Sequence, residues 1–274
     1  MAITVNTPSH SDSDDERSFL TRCIFPYNAD GAPRIPVGFA VTVMAVLAVL
    51  IGLYRWYMEA TAFTVGLDYF EPEFQTYWMS WLYGQLGVIA LVGAIGVPYC
   101  FFTRPSKEEV LAMSAKDELG VYVFILTIMT MASVLVPVGL GLFVEADAAW
   151  HQVTIRDTDF TPTHIQLFYG IIPAGATALI IGILWMHTRL PNYVNRVSVP
   201  LVMVAAAPLL IMPNLGYNEW GHTFFYAEEL FAAPVHWGFV MLGWGFFAIS
   251  GFILEVINRM LTLTKIESNE NAAV

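Results

Sequence analysis

Two segments of the chain carry nearly the same arrangement of side chains that bind metals. In the first, Asp147 and His151 are four residues apart, and His164 follows thirteen residues after His151. Residues four apart lie on the same face of a helix. One carboxylate with two neutral imidazoles suits a divalent first-row metal, and imidazole in particular suits copper, zinc or iron. This segment is a candidate metal site, provided that the chain turns back before His164.

The second segment repeats the pattern with an amide in place of the carboxylate. Asn218 and His222 are four residues apart, and His236 follows fourteen residues after His222. In both segments the last histidine belongs to a Pro-x-His step that opens a long apolar run. A neutral amide oxygen predicts a weaker and less charged site than the first. A metal site with few protein ligands keeps open coordination positions, and catalysis at a metal requires such positions.

The composition predicts a membrane protein. Hydrophobic residues make up 57% of the chain and charged residues only 13%, whereas about a quarter of the residues of a soluble domain are charged. Six uncharged runs are long enough to cross a bilayer, which takes about 20 residues. They are Pro36–Tyr54, Phe74–Thr103, Leu119–Val144, Phe160–Met186, Val197–Asn218 and Leu230–Leu254. We therefore predict an all-α, polytopic bundle of about six transmembrane helices.

The basic residues predict the orientation of the bundle. Ten of the twelve Lys and Arg residues fall on one side of a six-span chain, which marks that side as cytoplasmic. Only Arg55 and Arg156 lie on the other side. Both termini are therefore expected in the cytoplasm, and the two metal-ligand segments, 145–165 and 213–237, on the outer side. His187 is expected at the inner surface.

The remaining segments limit the classes of function. We predict a polar N-terminal arm over 1–35, a transmembrane domain over 36–258 and a cytoplasmic tail over 259–274. The arm has no apolar segment of the kind found in signal peptides. The net charge of −11 comes without the basic patch that nucleic-acid binding needs. No phosphate loop, nucleophile elbow or cysteine-based metal motif occurs in the sequence.

A simpler interpretation exists for each histidine taken singly, as an interfacial residue beside the tryptophans of an aromatic belt. Two sets with nearly the same spacing on the same predicted side of the membrane favour metal binding over that interpretation. Polar groups at membrane depth are costly and usually functional. We therefore treat both sets as candidate metal sites.

Both segments also resemble a known family. The run from Asp147 to His164 (DAAWHQVTIRDTDFTPTH) is similar to the signature of the C subunit of the copper membrane monooxygenases, which act on methane, ammonia or short-chain hydrocarbons. The runs Pro213–His222 and Glu228–Phe239 resemble the same protein, as does Asp68–Phe74. The resemblance extends from about Pro36 to Arg259.

The resemblance implies two neighbouring copper sites in the membrane region. The first would be held by Asp147, His151 and His164. The second would be held by Asn218, His222 and His236, and we assign the catalytic role to this second set. Within the family it is disputed which copper site performs the oxidation, and a further site lies in the B subunit.

The resemblance also implies the partners of the chain. The A, B and C subunits form a protomer, and three protomers form a ring in the cell membrane or an intracytoplasmic membrane. The complex uses dioxygen, with quinol as the expected reductant, so this chain is not expected to be active alone.

Three residues depart from the family pattern where serines are expected. They are Ala149, Asp159 and Thr163, and Phe225-Tyr226-Ala227 also replaces a more usual Trp-Phe-Met. None of these residues is a predicted ligand. Because the second change lies beside the second set, we favour a short-chain hydrocarbon over ammonia as the substrate.

Two other functions stay open from the sequence. The chain could be a scaffold that positions its partners while oxidation happens elsewhere in the complex. It could also be a metal- or proton-coupled transporter whose histidines bind the cargo. Inverted repeats would favour a transporter, whereas the two histidine segments here share one orientation.

Overall fold

The computed structural model describes residues 19–28, 31–150, 160–206 and 228–272. Within these ranges every named element is a helix, and the single strand-like pairing is an isolated bridge between Tyr27 and Pro33. The prediction of an all-α protein is confirmed for this part of the chain.

Five long helices and three short ones make up the described structure. The long helices are α2 (Val37–Val65), α3 (Pro72–Phe102), α5 (Ala115–Trp150), α6 (Pro162–Arg189) and α8 (Glu228–Ala272). The short ones are α1 (Phe19–Ile24), α4 (Lys107–Leu111) and the described part of α7 (199–206). Helix α8 runs from before the predicted last span into the segment that the sequence assigns to a tail.

Five helices are long and apolar enough to cross a membrane. These candidate spans are Val37–Val65, Pro72–Phe102, Ala115–Leu135, Pro162–Arg189 and Gly243–Ile266. Their outward faces carry apolar side chains such as Val41, Leu53 and Phe102, all exposed in the chain alone, as expected for contact with lipid or partner subunits. The predicted span Val197–Asn218 is helical over 199–206, and the rest of it lies outside the described residues. A multi-pass membrane protein is therefore confirmed, and the sixth span stays a prediction.

The chain divides into two compact units. Unit 1 comprises Met1–Val49, Met113–Leu135 and Val256–Val274, and unit 2 comprises Leu50–Ala112 and Val136–Glu255. Helices α2, α5 and α8 contribute residues to both.

In unit 1, aromatic contacts hold the segment that precedes α2. The rings of Phe25 and Phe39 lie 5.3 and 5.6 Å from the ring of Phe124 on α5. The hydroxyl of Tyr27 donates a hydrogen bond to Asp117 at 3.4 Å. Part of the predicted polar arm therefore packs against the first turns of α5.

Unit 1 also contains a buried ion pair. The guanidinium of Arg259 on α8 donates to both carboxylate oxygens of Glu118 on α5, at 2.9 and 2.6 Å, and Glu118 is only 1% exposed. The hydroxyl of buried Tyr122, one turn further along α5, donates to the same carboxylate at 3.2 Å. Two parallel hydrogen bonds from one guanidinium fix the relative orientation of the two side chains in addition to pairing their charges. This ion pair therefore joins α5 to α8.

The core of unit 2 is built from helix faces with a repeat of four residues. Tyr54, Met58 and Ala62 line one face of α2, and Phe74, Trp78 and Leu82 line one face of α3. Side chains four apart lie above one another on a helix. Phe143, Ile165 and Leu167 bring α5 and α6 into the same cluster. These four helices position the candidate site.

The short helix α4 begins with a reciprocal cap. The side chain of Ser106 accepts from the backbone N–H of Glu109, and the carboxylate of Glu109 accepts from the backbone N–H of Ser106 at 2.8 Å. These hydrogen bonds favour the charged carboxylate and hold the pKa of Glu109 below its usual value. The cap ends the loop after α3.

At the far end of α6, His187 is held by the protein itself. Its Nδ1 lies 2.8 Å from the carbonyl oxygen of Ile183, so that nitrogen donates, and its Nε2 accepts from the backbone N–H of Ser198 at 3.1 Å. The hydroxyl of Ser198 donates to Glu255 at 2.7 Å. Since both ring nitrogens are engaged, His187 is a structural histidine in this arrangement.

Candidate functional site

The candidate site is centred on His164 in the first turn of α6. Thr161 precedes the helix with extended backbone, and Pro162 follows at the first helical position, where its missing N–H costs nothing. The hydroxyl of Thr161 accepts from the backbone N–H of His164 at 3.2 Å. A threonine cap followed by proline therefore starts α6 at a defined residue and places His164 three residues past the cap.

The imidazole of His164 is enclosed. It is 1% exposed, and its ring lies 4.6 Å from the ring of Phe168, one turn further along the helix. Thr163 and Ile165 on either side are fully buried. Such surroundings keep bulk water away from the imidazole, and an imidazole is the commonest metal ligand in proteins.

Tyr54 of α2 joins the helices that carry two of the predicted ligands. Its hydroxyl donates to the carbonyl oxygen of Pro162 at 3.2 Å, two residues before His164. Its ring lies 5.7 Å from the ring of Phe143 on α5. Asp147 follows Phe143 by four residues on the same helix. Tyr54 thus ties α5 to the start of α6.

A polar contact between α3 and α6 lies beside His164. The indole N–H of Trp81 donates to the side-chain oxygen of Gln166 at 3.0 Å. Both helices contain a wider π-turn near this level, Gln75–Met79 in α3 and Leu167–Ile171 in α6. In α6 the π-turn precedes Pro173, whose ring would clash with a carbonyl in a regular helix. π-Turns often occur at functional sites.

An acidic cleft lies near the same helix start. A cavity of about 270 Å³ is lined by the carboxylates of Asp68, Glu71 and Glu73 and by Thr64, Val65 and Leu67. Gly66, within this loop, passes so close to α6 that a Cβ there would lie 3.0 Å from Cγ of Pro162. Three carboxylates lining one cleft make its potential negative, which raises the local concentration of cations.

Comparison with known families gives one match. The model of the family described as the C subunit of ammonia monooxygenase/methane monooxygenase matches residues 33–267, most of the chain. The chain belongs to that family. No protein of curated function matches it. The recognition made from the histidine segments is confirmed, and with it a membrane subunit of a monooxygenase complex.

Only part of the metal set predicted for this C subunit lies in the described structure. His164 is described with its side chain, whereas for Asp147 on α5 and His236 on α8 only the helix is described. His151, Asn218 and His222 lie outside the described residues. Within the described part of the chain, no group of three or more His, Cys, Asp or Glu side chains is placed to hold a metal. The two ligand sets therefore stay predictions.

The two Pro-x-His steps of the C subunit differ in their helical context. Pro162 begins α6, as its position before a long apolar run predicts. Helix α8 begins at Glu228, so Pro234 and His236 lie inside it. The similar spacing in the sequence therefore does not correspond to the same local structure.

Several residues around the site were not predicted from the sequence. Tyr54, Trp81 and Gln85 contact the first turns of α6, and Trp81 does so through the side chain of Gln166. Gln85 and Gln166 are amides inside long apolar runs, and polar groups at membrane depth are usually functional. That signal was present in the sequence of this C subunit.

Proposed function

We propose that the chain carries copper and takes part in the hydroxylation of a small substrate by dioxygen, as the C subunit of the monooxygenase. His164 carries this proposal, since it is an imidazole 1% exposed in a helix apolar enough to span a bilayer. Ionisable groups in membrane-spanning segments are costly and are usually retained for function. In a family of monooxygenase subunits, coordination of a redox metal is the function that a buried imidazole fits best.

The first proposed copper site consists of Asp147, His151 and His164. Its donor set, one carboxylate and two imidazoles, fits copper. The contacts of Tyr54 with Phe143 and Pro162 support it, because they join α5, which carries Asp147, to the start of α6. His151 follows Asp147 by four residues in the sequence.

The residues around His164 have defined tasks in this proposal. Thr161 and Pro162 set the start of the helix and with it the direction of the imidazole. Phe168 packs against the ring, and burial keeps bulk water away from it. Copper bound by the ring would supply the one-electron and dioxygen chemistry that side chains lack.

The second proposed copper site consists of Asn218, His222 and His236, and we assign the oxidation to it. Its amide offers one oxygen where a carboxylate can offer two, so a coordination position can stay open, which oxygen insertion requires. We propose a short-chain hydrocarbon as the substrate, ahead of ammonia, with methane as the further candidate. The departures at Phe225, Tyr226 and Ala227 beside this set support that order.

The proposed assembly follows from the family. This chain would join the A and B subunits in a protomer, three protomers would form the complex, and quinol in the bilayer would be the reductant. The apolar faces exposed on α2 and α3 leave room for lipid and for neighbouring subunits.

Detergent extraction distinguishes a catalytic second site from a scaffold role. We expect the copper held with Asn218 to be lost first, because an amide is a weaker ligand than a carboxylate, and oxygenase activity to fall in proportion. Adding lipid and copper should restore both. Metal analysis and alkane oxidation are measured on the same preparations of the complex. Activity that survives complete loss of this copper would contradict the assignment and leave the scaffold role.

A further inference from the structure

The start of α6 is held by a hydrogen bond from the neighbouring helix α3. The side-chain amide of Gln85 donates to the carbonyl oxygen of Ile165, the residue after His164. A carbonyl can only accept, so the amide must turn its NH₂ group towards Ile165. Its oxygen, Oε1, then points the other way, towards Gly170.

Gly170 leaves the space that this orientation needs. A Cβ at position 170 would lie 2.5 Å from Oε1 of Gln85 and 3.1 Å from its Cδ. Both atoms are at the end of a flexible side chain, so an added methyl group would displace the Gln85 amide and leave the helices in place. The bond to Ile165 therefore depends on glycine at position 170.

The bond lies where α6 is irregular. The π-turn Leu167–Ile171 directly follows the turn that carries His164. In a membrane span, neighbouring helices can satisfy backbone groups near an irregular turn. Gln85 donates to the carbonyl of Ile165 and Tyr54 to the carbonyl of Pro162. The hydroxyl of Thr161 accepts from the backbone N–H of His164.

We propose that Gln85 and Gly170 form a positioning pair that sets the orientation of His164 towards the metal. This inference rests on the proposed function of His164 as a copper ligand. Gln85 contacts neither the imidazole nor, on this account, the metal, and it acts through the peptide that follows His164. Residues that orient a ligand in this way commonly affect metal affinity by about 10- to 100-fold.

The test compares Gln85→Met, Gly170→Ala and the double variant in the whole complex. Methionine keeps the length of the side chain and cannot donate to Ile165. Gly170→Ala removes the same hydrogen bond by displacing the Gln85 amide. If Gln85→Met impairs assembly, Gly170→Ala alone tests the proposal. Because both changes remove one bond, their effects should not add. Gly175→Ala is the matched control, since a Cβ at Gly175 meets nothing within 4 Å in this chain.

Two measurements are made on each variant. Copper affinity should fall about tenfold in both single variants and no further in the double variant. After removal of copper with a chelator, His164 should react about fivefold faster with diethyl pyrocarbonate, as expected for loss of one hydrogen bond. Mass spectrometry reports this reaction at His164 itself, independently of oxygenase activity.

The outcomes separate this inference from the proposed function. Additive effects in the double variant, or an unchanged reactivity of His164 in Gly170→Ala, would overturn the positioning pair. A different result would be that His164→Ala keeps its copper while both single variants still raise the reactivity of His164. In that case His164 is not a copper ligand, and the role of the pair in metal binding is refuted as well. If copper affinity falls equally in the single variants and the double variant, the result supports both the positioning pair and the copper ligand at His164.

Discussion

Replacing His222 by alanine should abolish substrate oxidation by the complex. We expect a loss of at least about 100-fold, since even residues that only support a metal ligand reach that range. The amide of Asn218 and the imidazole of His236 would then be the only ligands of the proposed second site, too few to hold copper in place. Alkane oxidation per assembled complex is the measurement.

His187→Ala is the matched control for that variant. Both nitrogens of His187 are bonded within the protein, to Ile183 and Ser198, so its loss removes an imidazole that cannot serve as a ligand there. The assembled His187→Ala complex should keep its oxygenase activity. Activity retained by His222→Ala at wild-type level would assign oxidation elsewhere in the complex.

Replacing Arg259 by leucine should destabilise the protein strongly. Glu118, which is 1% exposed, would lose its charged partner and keep only the hydroxyl of Tyr122 as a described donor to its carboxylate. Removing one partner of a buried ion pair costs about 3–5 kcal/mol. Thermal unfolding of the complex in lipid nanodiscs should show a clearly lower midpoint.

A second variant and a control distinguish the buried charge from lost packing. Adding Glu118→Gln to Arg259→Leu should recover most of the stability, because the uncompensated charge is gone and the amide can still accept from Tyr122. Glu59→Gln breaks an exposed pair with Arg55 one turn away, and such pairs contribute only about 0.3–0.5 kcal/mol. If Arg259→Leu unfolds no earlier than Glu59→Gln, the ion pair does not hold α5 to α8.

The helices could be predicted from the sequence because the long apolar runs leave no other fold in a bilayer. Their ends were less predictable. The uncharged run that starts at Pro36 ends at Tyr54, yet α2 continues to Val65. Arg55 and Glu59 bind each other at 2.9 Å within the helix, and Arg55 also donates to the carbonyl of Leu142, so these charges do not end it.

The site was predictable where it depends on nearby residues. The Thr-Pro start of α6 and the position of His164 can be read locally, as a cap followed by proline. The pairing of Tyr54 with Pro162 joins residues 108 apart, and that of Gln85 with Ile165 joins residues 80 apart. No local pattern specifies which helices pack together, so these contacts required the structure.

The copper content of a His164→Ala complex tests the central claim most directly. The purified, fully assembled complex is analysed for metal per protomer, beside wild type and His187→Ala. A copper ligand at His164 predicts one copper fewer per protomer in His164→Ala and no change in His187→Ala. An unchanged copper content in assembled His164→Ala would show that this buried histidine does not hold the metal.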